Sequence, residues 1–202
     1  RNSALVIIAK IGPNAAQAIP ALMRAIDDKD ATVRSHAVQA IAKMGRQAYV
    51  PYIVVGLDSK NQQERYGAAH ILRAMGKDAA SAVPALMKKL EDTDAWMRVS
   101  VISALGSIGQ AATPAVPALV TRLQDTDQTV RHSAAYALGD ISSSWQENLS
   151  QLSIKEIDTT ISHLEKALNI LQNPSLQFRP EAVTAVKDPL VILKKEKMRR
   201  AK

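Results

Sequence analysis

Four arginines pose the first chemical question. Arg34, Arg65, Arg98 and Arg131 each stand four residues after an acid or amide, respectively Asp30, Asn61, Asp94 and Asp127. Arg1 opens the chain in the same register. Such a row of charged pairs looks functional, but a device that recurs once per unit is more economically read as structural. The four histidines, His36, His70, His132 and His163, are never followed by Glu, and no two-His, carboxylate-rich metal site can be drawn from them. No glycine-rich phosphate loop is present, and no Ser–His–Asp arrangement rises above chance. The chain has no cysteine, which removes disulfides and thiolate zinc sites and leaves nothing that points to an oxidising compartment. The expectation is a cytoplasmic, non-catalytic chain with no metal and no cofactor.

The elements that place these residues are legible from spacing. Pro20–Arg34, Pro51–Arg65, Pro84–Arg98 and Pro117–Arg131 are all 14 residues apart. A constant interval implies a rigid helix–turn–helix hairpin. The first helix carries proline near its start, where the missing N–H costs little. A turn follows at Asp28, Ser59, Asp92 or Asp125. The second helix is capped by Asp30, Asn61, Asp94 or Asp127, a contribution of about 1 kcal/mol each. Gly45, Gly76 and Gly109 end the second helices, as residues that tolerate a left-handed conformation. One hairpin cannot bury its apolar face, but stacked hairpins share a continuous core.

The repeated stretches DATVRSHAVQAIAKMG (30–45), DAWMRVSVISALGSIG (94–109) and DQTVRHSAAYALGDI (127–141), with AIPALMRAI, AVPALMKKL and AVPALVTRL upstream, resemble HEAT repeats of the phycocyanobilin-lyase type. NQQERYGAAHILRAMG (61–76) departs from that pattern, with Asn61 for Asp and Glu64 for Val. The resemblance covers about residues 1–143. It implies an all-α, right-handed solenoid, and it implies that Arg34, Arg65, Arg98 and Arg131 bridge adjacent units in a ladder with the acids. It also allows a second function, a bilin lyase or phycobilisome accessory subunit. The iron-binding His-Glu pairs of deoxyhypusine hydroxylase, another HEAT-repeat family, have no counterpart here.

The expected organisation is a partial unit at 1–12, hairpins at 13–45, 46–76, 77–109 and 110–143, a polar linker at 144–152 and a divergent helical pair at 153–202. Because Arg1–Gly12 matches the second half of a second helix, the chain is expected to be part of a longer solenoid. In the last segment Ser153 and Glu156 form a capping box, Asn173-Pro174-Ser175 a turn, and Arg179-Pro180-Glu181 a helix start, with Pro189 expected to kink or split that helix.

The net charge of +7 is concentrated in KKEKMRRAK, which ends the chain with six Lys or Arg and one Glu. A near-neutral body with a basic tail does not suggest nucleic acid, since a basic stripe on the binding face is missing. Apolar runs such as Ala4–Ala9 fall short of the roughly 20 residues of a membrane helix. Aromatics are scarce, at seven, yet three of them fall on one stripe of the second helices: Tyr66, Trp96 and Tyr136. With His70, Arg73 and His132 they make the candidate site, a concave face that binds a protein partner.

Overall fold

The computed structural model describes residues 19–25, 28–44, 50–145, 149–150 and 152–201. The expectations for Arg1–Gly12 and Gly45 lie outside these residues. Every regular element among the described residues is helical. The first hairpin pairs α1 (Ile19–Ala25) with α2 (Ala31–Met44), and the second pairs α3 (Val50–Gly56) with α4 (Gln62–Met75). The third pairs α5 (Val83–Lys88) with α6 (Ala95–Ile108), and the fourth pairs α7 (Val116–Arg122) with α8 (Gln128–Ser144). Then come α9 (Ile154–Leu171) and α10 (Pro180–Arg200).

The second helices α2, α4, α6, α8 and α10 pack in that order into one layer, and each first helix packs against the second helix of its own hairpin. The buried stripe is aliphatic and small: Met97, Val101, Leu105 and Ile108 on α6, and Val130, Ala134, Leu138 and Ile141 on α8. These residues recur at helical spacing, so one face of each helix is dry.

The chain enters the first helices through 3₁₀ turns, Gly76–Ala82 and Gly109–Ala115, and prolines occupy the opening positions of α5 and α7. Gly76 and Gly109 have φ/ψ of 54°/−130° and 70°/−135°. This is not the left-handed helical conformation expected from sequence but the mirror-image extended region, which side chains other than glycine's rarely enter. The run Ala95–Arg122 is, by length and composition, apolar enough to cross a membrane. In the structure it is interrupted at Gly109, and half of it is buried among other helices.

In the C-terminal third the structure revises the linker expectation and, of the alternatives at Pro189, decides only against a split. The segment read as a polar linker begins inside a helix, since α8 continues to Ser144, and Trp145 is 1% exposed. Its indole Nε1 donates to Thr113 Oγ1 at 2.9 Å, locking the end of α8 to the 3₁₀ turn of its own hairpin. Pro189 does not split its helix: α10 runs from Pro180 to Arg200 with Pro189 buried inside it. The proline removes the N–H that would have bonded Ala185 C=O. That carbonyl faces Gly139, where a Cβ would come within 3.0 Å of it and 2.7 Å of Ala185 Cβ. The capping box of Ser153 and Glu156 is present, as is the Asn173 turn.

Candidate binding surface

The arginines and acids form a closed local device. In each turn the first polar residue accepts from the backbone N–H of the cap residue: Asp28, Ser59, Asp92 and Asp125 do so at 3.0–3.1 Å. Asp30, Asn61, Asp94 and Asp127 in turn accept from N–H groups of the helix start at 2.7–2.9 Å. Arg34, Arg65, Arg98 and Arg131 reach back and donate Nη1 to two carbonyls of the same turn.

The repeated work of these arginines is therefore within the hairpin and not between hairpins. Among the described residues only Arg98 of the series also reaches an acid of the next unit. It pairs with Asp125 through Nε at 3.0 Å and Nη2 at 2.7 Å. Both side chains are nearly buried, at 10% and 4% exposed. Burial pushes the Asp125 carboxyl up, but Arg98, the Asp127 N–H and Arg122 outweigh it and hold the group below the ordinary carboxylate range.

The six candidate recognition residues separate into groups. Tyr66 is tied down: its hydroxyl donates to Asp94 Oδ2, and Gln62 Nε2 donates to both, at 2.8 and 2.9 Å. Burial and the Asp94 carboxylate raise the Tyr66 phenol, and the same hydroxyl lowers Asp94. Tyr66 thus joins the second unit to the third. His132 is half-buried, edge-on to Phe178 at 5.7 Å. Its Nδ1 lies 2.9 Å from Gln128 C=O, which places the proton there, and Nε2 is buried without a partner.

His70 and Arg73 are exposed on α4. Protein packed round the ring of His70 desolvates it and, with Arg73, lowers its pKa. Trp96 is 66% and Tyr136 40% exposed. The two glycines on the same stripe serve helix packing. A Cβ at Gly106 would meet Ala137 Cα at 3.1 Å, so Gly106, like Gly139, lets neighbouring helices approach.

The structure brings His132 and Tyr136 together in one cleft of about 430 Å³, with Gln128, Thr129, Ser133 and Arg179. Arg179 was not legible as a site residue, because it belongs to the segment in which the period is lost. Tyr52 and Val55, 68% and 72% exposed on α3, also escaped notice because the first helices read as ordinary aliphatic repeats. They line a second cleft of about 390 Å³ with Arg24 and Glu64. No cluster of three or more metal-ligating side chains occurs among the described residues.

Helical hairpins stacked so that second helices form one layer define an all-α solenoid. The family model for HEAT repeats matches residues 1–69 and 50–139, and the chain belongs to that family. No curated protein matches it. Among solved structures, that of Kap121p aligns with a TM-score of 0.68 at 16% identity, over 98% of this chain and 24% of Kap121p. A designed armadillo repeat protein in complex with the peptide (KR)4 aligns at 0.58 with 18% identity, over 95% of this chain and 90% of the designed one. The complex of CpcE and CpcF of phycocyanin lyase from Nostoc sp. PCC7120 aligns at 0.49 with 21% identity, over 96% and 88%. So loose a likeness bears on neither the fold nor a bilin function.

Proposed function

We propose that the chain is a non-catalytic scaffold that binds a protein partner on the concave face, along its second-helix layer. The observation that carries this reading is the exposure of Trp96 and Tyr136 on adjacent packed helices. Trp96 is largely and Tyr136 partly open to water, although aromatic residues are rare in this sequence and Tyr66 is engaged in packing. An exposed indole and phenol supply rigid contact area at low entropic cost. A designed armadillo repeat protein of similar fold is in complex with the peptide (KR)4, which supports the general reading and names no partner.

The test is selection of a displayed random peptide library against the intact chain. Enriched peptides are expected to lose binding to Trp96→Ala/Tyr136→Ala and to keep it with Tyr52→Ala, an equally exposed aromatic on the other layer. Both variants should remain helical by circular dichroism. Binding that survives the double substitution, or that depends on Tyr52, overturns the assignment.

A further inference from the structure

The cleft at the junction of α8 and α10 is lined by one arginine and no acid. Its single lining cation, Arg179, is exposed and makes no capping hydrogen bond. Among the described residues no acid pairs with it. Four other basic side chains of this end are paired. Lys194 pairs with Glu165 at 2.6 Å and Lys197 with Asp158 at 2.7 Å. Arg199 and Arg200 both hold Glu196. The charge of Arg179 is left facing a cleft whose lining holds no acid.

Arg179 also precedes a helix of 21 residues, whose positive end adds to the local potential. Glu181 in the first turn of that helix is the nearest acid in sequence, but no acid lines the cleft. The remaining lining offers hydroxyl and amide donors from Gln128, Thr129, Ser133 and Tyr136.

The geometry points to an acidic peptide segment as the partner, with a side-chain carboxylate seated on Arg179 and the hydroxyl donors of this cleft. The inference rests on the reading of this layer as the partner-binding face, and it specifies the chemistry of that partner. One guanidinium in a cleft with no second cation suits a monoanion. Register follows from the same layer. Trp96 and Thr129 are each the second residue of their helices, and α6 and α8 pack directly. Packed helices lie 8–10 Å apart, and an extended chain advances about 3.3 Å per residue. With the carboxylate held against the α8 wall of the cleft, at Thr129, an apolar side chain about three positions away reaches Trp96.

The probes are labelled nine-residue peptides with Leu and Glu three positions apart in a Gly/Ser background, in both orders, titrated by fluorescence anisotropy against the intact chain. Matched peptides replace Glu by Gln, Lys or phosphoserine. One Glu peptide is expected to bind about tenfold more tightly than its Gln counterpart, the scale of one charge-assisted contact. The Lys peptide should be weakest. Arg179→Glu should invert the order, with the Lys peptide now preferred and helicity unchanged.

Equal binding of the Glu and Gln peptides, an order unmoved by Arg179→Glu, or no binding at all overturns the inference. A phosphoserine peptide more than tenfold tighter than the Glu peptide overturns the carboxylate in favour of phosphate. If the peptides bind alike but depend on Trp96, the partner-binding face stands and only its acidic preference falls.

Discussion

The junction of α6 with α8 and the junction of α8 with α10 have the same helix-on-helix arrangement but different chemistry. At the first, Arg98 closes its own turn and also clamps Asp125 of the next unit inside a nearly dry seam. At the second, the equivalent Arg131 closes its turn, but its Nε is buried without a partner. The chain that follows lacks the repeated acid turn. In its place are a capping box, close approach of Gly139 to Ala185, and Glu196 held by two arginines. Stacking therefore does not require the periodic sequence. It requires small residues where backbones meet and some satisfied polar anchor per unit, and the anchor can change.

The largest expected effect comes from removing the clamp. Arg98→Ala leaves the Asp125 carboxylate buried with weaker partners and frees two turn carbonyls, a loss of about 3 kcal/mol by chemical denaturation. Arg34→Ala, which deletes the same turn contacts at an exposed site, should cost about 1 kcal/mol. Equal losses would show that the inter-unit pair adds nothing.

Next is Gly139→Ala. Its new methyl group must displace Ala185 and should cost about 1–3 kcal/mol, with faster amide exchange in α10 than in α4. Unchanged exchange in α10 would place the strain elsewhere.

The acid response separates the two junctions further. Arg199 and Arg200 lower Glu196 from 4.5 to about 2. A carboxyl depressed in the folded state contributes stability above its unfolded value and loses it as pH falls toward the folded one. Protection of α9 and α10 from amide exchange is expected to decline between about pH 4.5 and 2, and Glu196→Gln should remove that dependence.

The smallest effect is at the surface. Trp96→Ala should change stability by no more than about 0.5 kcal/mol, which a thermal melt can check. A larger loss would make Trp96 a packing residue and remove it from the binding face.

Much of the fold was legible because hairpin geometry imposes fixed intervals on proline, acid, arginine and glycine. The capping box at Ser153 was legible for the same reason: it is local. Contacts between units were not, because spacing fixes a residue's place on its own helix and says nothing of its neighbour across the seam. Thus Tyr66 reads as an open recognition residue but bonds Asp94, 28 positions away. The arginine ladder reads as uniform but among the described residues has one rung. Trp145 sits in a serine-rich stretch whose composition suggests solvent, yet Thr113 claims it. Pro189 sits inside a helix against a local rule, and the Ala185 carbonyl it leaves without an N–H faces Gly139 of the neighbouring helix. In the candidate site Tyr136 and Trp96 were visible from periodicity, whereas Arg179 required the fold.

The seam between the second and third units is crossed by Tyr66 and Gln62 on Asp94 and by Lys89 on Asp58, all partly open to water. The next seam along carries the enclosed Arg98–Asp125 pair. A stack bonded so unevenly does not stretch like a uniform spring. Of these two seams the wetter one is expected to open first under an axial pull, which leaves Trp96 and Tyr136 on one block.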